Sequence, residues 1–215
     1  MKVENDNHEQ INRLAFESEL WAQGCTAVAG VDEVGRGCLF GDVVAAAVIL
    51  PVGLVLEEVN DSKQLSEKKR DRLYDQIIAE ASAWSVARVE AKVIDEINIR
   101  QASRLAMKQA VLGLGVVPEH LLVDAETVDL EVSQTAIIKG DFLSQSIAAA
   151  SIIAKVTRDR LCADVWDRLY PGYGIAAHKG YATKTHREAI AALGPTPLHR
   201  RSFLGNIGVE QQLLF

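Results

Sequence analysis

The chain has 215 residues, of which 48% are hydrophobic and 24% are charged, and its formal net charge is −6. These values are typical of a globular protein with a sizeable core and exclude a disordered chain. The longest mostly apolar stretch, residues 43–56, contains Pro51 and Gly53 and is too short to span a bilayer. The N-terminus lacks the apolar core of a secretory signal. We therefore expect no membrane segment and no export.

Three cysteines, Cys25, Cys38 and Cys162, lie far apart in the chain and form no CxxC pair. An odd number without paired spacing is typical of reduced thiols, and it indicates neither a disulfide framework nor a zinc site. We therefore expect a cytoplasmic protein, and we expect it to be a monomer.

The acidic net charge, taken alone, argues against a nucleic-acid-binding protein, because phosphate contacts favour basic surfaces. The charge is unevenly distributed, however. Residues 1–60 contain 3 Lys or Arg and 10 Asp or Glu, whereas residues 155–201 contain 9 and 4. A protein that binds cations also needs fewer lysines against a polyanion. The charge pattern is therefore compatible with a nuclease.

Strand and helix patterns alternate along the chain after a polar leader with one helical stretch that ends at Gly24. The predicted strands are 26–34, 42–51, 84–91, 120–125 and 135–141, and the predicted helices are 66–81, 95–114, 144–170 and 183–193. The strand at 42–51 is apolar on both faces, which favours a central position. The alternation predicts an α/β domain around a mixed sheet. We assign it to 25–170, between a leader (1–24) and a C-terminal helical extension (171–215).

Four acidic residues stand at predicted strand ends or beside turns, namely Asp32, Glu33, Asp124 and Asp141. Each could simply cap a turn or a helix. If they converge, two charges about 4 Å apart repel by roughly 4 kcal/mol at an effective dielectric of 20, which raised pKa values or cations must offset. Oxygen ligands alone select hard ions such as Mg²⁺ or Mn²⁺. Strand neighbours point to opposite faces, so Asp32 and Glu33 are expected to share a site only where the pleat ends.

Five blocks of the chain resemble the ribonuclease HII family in order and in spacing. They are GVDEVGRG (30–37), DSKQLS (61–66), KGDFLSQSIAAASIIAKVTRDR (139–160), YGIAAHKGY (173–181) and GPTPLHRRSF (194–203). The resemblance runs from about residue 27 to 203. It implies a ribonuclease-H-like fold, in which helices flank a mixed five-stranded sheet and a small helical part follows. It also implies that Asp32, Glu33, Asp124 and Asp141 bind metal.

The same resemblance implies a set of substrate-binding residues. Gly35-Arg36-Gly37 matches the turn that senses the ribose 2′-hydroxyl, the group that distinguishes RNA from DNA. Tyr181 matches the tyrosine that packs on the neighbouring sugar. Candidate phosphate contacts are Arg36, Lys63, Lys155 and Lys179. Each also has a structural interpretation, as a tight turn, a packed ring or a solvated charge.

The activity implied is that of an endonuclease that hydrolyses the RNA strand of RNA–DNA hybrids and cuts 5′ of single ribonucleotides embedded in duplex DNA. Two Mg²⁺ or Mn²⁺ ions would support hydrolysis to a 3′-hydroxyl and a 5′-phosphate. Two alternatives stay open. A resolvase-like nuclease on the same fold would ignore the 2′-hydroxyl, which the Gly-Arg-Gly turn and Tyr181 argue against. A hybrid-binding protein would not cleave, which four intact carboxylates argue against.

Several positions depart from the family pattern. Cys38 stands where proline is usual, which predicts a looser turn, and Ala125-Glu126 stands where Gly-Asn is expected. Asp42 and the pair Phe142-Leu143 are also atypical. Because no presumed ligand is lost, these changes bear on rate or metal preference more than on activity.

The last five residues, QQLLF (211–215), resemble the peptide by which bacterial replication and repair proteins dock on the sliding clamp. Gln211, Leu214 and Phe215 match that peptide, whereas Gln212 and Leu213 depart from it. The alternative is an apolar tail that folds back on the domain.

Overall fold

Five strands form one mixed sheet in the part of the chain that the structure describes, a computed structural model covering residues 12–59 and 65–205. In chain order the strands are β1 (Val28–Val34), β2 (Val43–Ile49), β3 (Ala83–Val89), β4 (His120–Asp124) and β5 (Ser133–Ile137). Their order in the sheet is β3-β2-β1-β4-β5, and the β2 pairings are antiparallel whereas the β4 pairings are parallel. The predicted α/β fold with a mixed five-stranded sheet is confirmed.

Helices flank this sheet and build the C-terminal part. They are α1 (Ala15–Ala22), α2 (Glu67–Glu80), α3 (Ala91–Ile97), α4 (Ile99–Leu112), α5 (Gly140–Leu143), α6 (Gln145–Arg160), α7 (Asp167–Leu169), α8 (Ile175–His178), α9 (Lys184–Leu193) and α10 (Arg201–Leu204). A π-helical segment, Leu161–Trp166, joins α6 to α7. Among the described residues, every helix is too short or too polar to cross a membrane.

Each face of the sheet has its own apolar core, and β2 contributes to both. Its odd-numbered side chains, such as Ala45, pack with Met107 of α4 on one face. Its even-numbered side chains, such as Ala46, pack with Leu73 of α2 and Ile152 of α6 on the other. A strand covered on both faces is apolar throughout, so the interior position predicted for residues 42–51 is confirmed.

Helix α6 lies unusually close to β1, because residue 30 is a glycine. A Cβ placed on Gly30 would come within 2.0 Å of the carbonyl carbon of Ser146. The next turn of α6 presents alanines that are fully buried, including Ala149 and Ala150. The small residues at the start of α6 therefore allow the helix to pack this closely against β1.

Two predicted boundaries are wrong. The helix predicted at 95–114 is two helices, because Asn98 between them has a φ of 66° and its side chain accepts hydrogen bonds from the backbone N–H groups of Arg100 and Gln101. The strand predicted at 135–141 ends at Ile137, and Lys139 has a φ of 59° before α5 begins. Asp141 consequently lies in the first turn of a helix. Single left-handed residues interrupt an element without changing its apolar pattern.

The segments outside the central sheet pack onto it. In α1, Phe16 and Trp21 contact the apolar cluster around Ile147, and the buried Glu17 carboxylate accepts hydrogen bonds from the Ser144 hydroxyl at 2.7 Å and the Ser146 N–H at 2.9 Å. The C-terminal helices enclose a cluster of buried side chains: Leu39, Phe40, Cys162, Trp166, Tyr173, Ile175, Ile190 and Leu204. This cluster attaches the helical part directly to the turn that follows β1.

Candidate active site

Three of the four predicted carboxylates lie near one another at one end of the sheet. Strands β1 and β4 are parallel neighbours, and Val31 lies opposite Val123. The next residue of each strand, Asp32 and Asp124, therefore lies at the same end of the two strands. Burial raises the pKa of Asp32 well above its ordinary value, and the charges of Glu33 and Asp124 raise it further. The cluster therefore concentrates negative charge in a place that is poor in water.

Asp32 and Glu33 approach each other at the end of β1. The strand ends at Val34, directly before Gly35, which agrees with the expectation that these two residues share a site where the pleat ends. The Asp32 Oδ1 accepts a hydrogen bond from the Glu33 N–H at 2.7 Å. The Glu33 carboxylate interacts with Asp124 as well, which contributes to raising its pKa after the larger effect of burial.

The Glu33 carboxylate has one satisfied and one unsatisfied oxygen. Arg36 Nη1 lies 3.2 Å from Oε1. Oε2 is buried and has no hydrogen-bond partner within the described residues. A buried carboxylate oxygen without a partner is costly, so it marks a position where a cation or donor would be stabilising.

Asp141 is connected to this cluster through the backbone. Gly140 N–H donates a hydrogen bond to Asp124 Oδ1 at 2.6 Å, and Asp141 is the next residue in α5. The Asp141 side chain is buried. The structure thus places Asp141 immediately after a direct partner of Asp124.

The four carboxylates fit a divalent cation by the chemistry of their donors. They supply only oxygen atoms, which suit Mg²⁺ and Mn²⁺, and Asp32 and Glu33 have pKa values that a nearby cation would lower. In residues 12–59 and 65–205, no group of three or more His, Cys, Asp or Glu side chains is already arranged to hold a metal ion. The fit rests on the donor set and on the unsatisfied Glu33 oxygen.

The predicted sugar-sensing turn is joined to the segment that carries Tyr181. Cys38 and Tyr181 form an antiparallel bridge, and the Leu39 N–H donates to the Gly180 carbonyl at 2.9 Å. Cys38 is fully buried, its N–H donates to the Gly35 carbonyl, and its thiol donates to the Lys179 carbonyl at 3.7 Å. Since proline has no N–H, these contacts hold the turn in a way that the usual residue could not.

Two fully buried arginines support the same turn from inside the protein. Arg158 donates to the backbone carbonyls of Phe40, Asp42 and Lys179 at 2.9, 3.1 and 2.8 Å. Arg200 donates to the carbonyls of Arg36 and Gly41, both at 2.9 Å. These bonds connect the Gly-Arg-Gly turn, α6 and the C-terminal part.

The two glycines of the turn have different reasons to be glycine. Gly35 has a φ of 93°, and a Cβ there would lie 2.4 Å from Arg158 Nε. A Cβ on Gly37 would meet no protein atom within 4 Å. Protein packing therefore requires Gly35, whereas at Gly37 the lack of a side chain leaves open space beside the turn.

Two candidate substrate-binding residues, Lys155 of α6 and Tyr181, lie close together. Lys155 Nζ lies 6.0 Å from the centroid of the Tyr181 ring and 2.7 Å from Asp159 Oδ1. Lys179 follows α8 with a φ of 52°, and its carbonyl is the acceptor for Arg158. Lys63 lies outside the described residues.

Sequence reasoning assigned no role to Ser151 or Arg200, two side chains that orient the site together with Arg158. The Ser151 hydroxyl donates a hydrogen bond to the Asp32 carboxylate, and Arg158 and Arg200 hold the turn. Ser151, Lys155 and Arg158 are spaced by four and three residues, so a polar stripe on an otherwise apolar helix was visible in the sequence. For Arg200, the sequence offered only its place in a basic pair.

Residue 125, where the family pattern has glycine, provides a stability test. Ala125 has a φ of 52°, a conformation that costs a residue with a Cβ about 1–2 kcal/mol. Ala125→Gly is expected to raise the free energy of unfolding by about 1 kcal/mol, less the entropy that glycine adds to the unfolded chain. Urea unfolding compared with wild type measures this, and a clear loss of stability would contradict it.

Comparison with known proteins finds a match over most of the chain. A family model described as ribonuclease HII matches residues 29–205. The ribonuclease HII of Alkaliphilus metalliredigens (strain QYMF) is 59% identical over 203 residues, which span 92% of this chain and 99% of that protein.

Solved structures with the same fold extend the comparison. The crystal structure of ribonuclease H2 from Pyrococcus horikoshii OT3 has a TM-score of 0.73 and 27% identity, covering 86% of this chain and 98% of that one. A PCNA:RNase HII complex from Archaeoglobus fulgidus has a TM-score of 0.66 and 27% identity, covering 84% and 96%.

Proposed function

This chain belongs to the ribonuclease HII family, enzymes that degrade the RNA of RNA–DNA hybrids, and from that premise we propose that it also cuts 5′ of single ribonucleotides embedded in duplex DNA. The products would be a 3′-hydroxyl and a 5′-phosphate. The cytoplasmic location and the monomeric state stay predictions, as do the boundaries of the leader and of the C-terminal extension.

The observation that carries the catalytic part of this proposal is the convergence of Asp32, Glu33 and Asp124, with a buried Glu33 oxygen that lacks a partner. Together with Asp141, these residues would hold two Mg²⁺ or Mn²⁺ ions, which supply an activated water and stabilise the leaving oxygen. Ser151 and the Glu33 N–H orient the Asp32 carboxylate for this task. Arg36 offsets part of the charge of Glu33.

The choice of a ribonucleotide is supported by the turn that follows β1. Open space beside Gly37 would let a ribose approach the backbone, where a 2′-hydroxyl can exchange hydrogen bonds with N–H and C=O groups. Tyr181 is 39% exposed and bridges to Cys38 in the same turn, so its ring is available to pack on the adjacent sugar. Arg36, Lys155 and Lys179, with Lys63 by resemblance, would bind phosphates.

The test uses an end-labelled DNA duplex with one ribonucleotide, an all-DNA duplex of the same sequence, and Mg²⁺, Mn²⁺ or EDTA. We expect one metal-dependent cut, immediately 5′ of the ribonucleotide, and no cut in the all-DNA duplex. Cleavage of both duplexes would instead favour a resolvase-like nuclease. Binding without cleavage of this duplex and of a longer hybrid would indicate a non-catalytic binding protein.

We also propose that the tail docks on a sliding clamp through Gln211, Leu214 and Phe215, which lie outside the described residues. The Archaeoglobus fulgidus relative has been solved as a complex with PCNA, which is such a clamp. Deleting 211–215 is expected to abolish binding to a bacterial clamp in surface plasmon resonance while leaving duplex cleavage unchanged. Undiminished clamp binding by the deletion variant would contradict this proposal.

A further inference from the structure

Three histidines of the C-terminal part form one cluster beneath Tyr181. His186 and His199 are buried, with relative exposures of 0% and 1%, and their Nε2 atoms are 3.2 Å apart. The His178 ring stacks on His186 at a centroid distance of 4.2 Å. Only one proton can lie between two Nε2 atoms at this distance, so the protonation of each ring constrains the other.

The surrounding hydrogen bonds determine where that proton lies. The Thr196 N–H donates to His199 Nδ1 at 2.9 Å, so Nδ1 is an acceptor and the proton of a neutral His199 is on Nε2. His186 Nε2 must then accept, which puts the proton of a neutral His186 on Nδ1. His186 Nδ1 is 2.9 Å from the Tyr181 carbonyl oxygen, which can only accept and which also accepts from the Thr183 N–H at 2.8 Å, so Nδ1 must be the donor. One choice of tautomers therefore satisfies every hydrogen bond in this series, from the Thr196 N–H to the Tyr181 carbonyl.

Both rings are held in the neutral form that this pattern requires. Burial, reinforced by the nearby His186, Arg201 and His178, lowers the pKa of His199 to about 4. Burial also lowers the pKa of His186. A proton added to His186 would place two N–H groups against each other in the interior.

The chain of bonds ends on the residue that we expect to contact the sugar. Tyr181 is fixed on its other side by the bridge to Cys38, and Phe40, two residues on, bridges to His199. The Phe40 ring also packs edge-on against His199 at 4.9 Å. The histidine pair therefore connects both backbone segments that carry the proposed sugar contacts.

We propose that His199 and His186 are positioning residues for Tyr181, acting through a directional relay from the Thr196 N–H through His199 and His186 to the Tyr181 carbonyl. This role rests on the proposed function in one respect, namely that the Tyr181 ring contacts the sugar beside the ribonucleotide. The relay itself is a property of the folded chain without substrate.

The first measurement is the tautomeric state of each ring in the full-length protein. Long-range ¹H–¹⁵N correlation spectra of protein labelled with ¹⁵N-histidine distinguish a proton on Nδ1 from one on Nε2. We expect His199 to carry its proton on Nε2 and His186 to carry its proton on Nδ1. A His186 ring protonated on Nε2, or on both nitrogens at neutral pH, would overturn the relay.

The second measurement compares two substitutions of His186, one that keeps a donor near the position of Nδ1 and one that keeps an amide near the position of Nε2. In His186→Asn the amide N–H₂ stands near the former Nδ1 and can still donate to the Tyr181 carbonyl. In His186→Gln the amide reaches the former Nε2, and the Tyr181 carbonyl loses its side-chain donor and keeps only the Thr183 N–H. His120→Gln is the matched control, because His120 lies at the opposite end of β4 from Asp124 and, within the described residues, its side chain hydrogen-bonds only to Thr135.

For the duplex with one ribonucleotide, His186→Gln is expected to raise KM about tenfold, the effect of one lost buried hydrogen bond, while kcat stays within about threefold. His186→Asn and His120→Gln are expected to keep the wild-type KM.

Equal KM values for the Asn and Gln variants would overturn the positioning role even if the tautomers are as expected. Failure of the wild-type protein to cleave this duplex would overturn the proposed function and the role of Tyr181 together. Thermal unfolding of each variant shows whether a change in KM reflects loss of the fold.

Discussion

Replacing Asp32 with Asn is expected to lower kcat for ribonucleotide-directed cleavage by about a thousandfold or more, because the variant loses a charged ligand at the centre of the carboxylate cluster. Asn is close to Asp in shape and can still accept hydrogen bonds from the Ser151 hydroxyl and the Glu33 N–H. The fold should therefore be retained. Single-turnover cleavage with excess enzyme, in Mg²⁺ and in Mn²⁺, measures the loss.

The same substitution is expected to stabilise the protein when no divalent ion is present. The pKa of Asp32 is raised above its ordinary value of 3.8, so the folded state binds the proton more tightly than the unfolded state. Stability is consequently lost as the pH rises from about 4 through the raised pKa. Because Asn carries no charge at either pH, Asp32→Asn should be more stable than wild type at pH 7 when no divalent ion is present.

Urea unfolding in EDTA at pH 4 and pH 7 tests this, with Asp75→Asn as the control because Asp75 is exposed on α2. The gain from Asp32→Asn should be larger at pH 7 than at pH 4, and Asp75→Asn should change neither stability nor cleavage. Mg²⁺ should stabilise wild type more than Asp32→Asn, because the ion binds the folded carboxylates. Equal stability of wild type and Asp32→Asn at pH 7 would show that the cluster is not under electrostatic strain.

Replacing Gly30 with Ala is expected to destabilise the fold by about 3 kcal/mol or more, a large part of the stability of an ordinary domain. The added methyl group would lie 2.0, 2.2 and 2.4 Å from the backbone carbon and oxygen of Ser146 and the nitrogen of Ile147. Backbone atoms of a helix cannot rotate away as a flexible side chain can, so α6 must move off β1. That movement would separate Ser151 from Asp32 and reduce cleavage as well.

Gly37→Ala is the matched control for stability, because its added methyl group meets no protein atom within 4 Å. We expect its free energy of unfolding to stay within about 0.5 kcal/mol of wild type. Its binding of the single-ribonucleotide duplex should weaken if Gly37 leaves room for a ribose. A Gly30→Ala variant as stable as Gly37→Ala would mean that α6 does not rest on β1 as closely as the structure places it.

The sequence by itself determined the class of fold and the candidate carboxylates, because both depend on patterns that are local in the chain. Alternating apolar segments predict the mixed sheet, and the apolar residues on both faces of β2 indicate an interior strand. Asp124 ends a short apolar run, which is where a strand ends. Motifs in fixed order then indicated which family these elements resemble.

Only the tertiary structure decided how distant residues meet. The approach of Gly30 to Ser146, the bonds of Arg200 to the turn after β1, and the pairing of His186 with His199 each join atoms from different elements. Local pattern was also insufficient where one left-handed residue, such as Asn98 or Lys139, ends an element. Such contacts depend on packing geometry across the whole fold, and no periodicity along the chain encodes them.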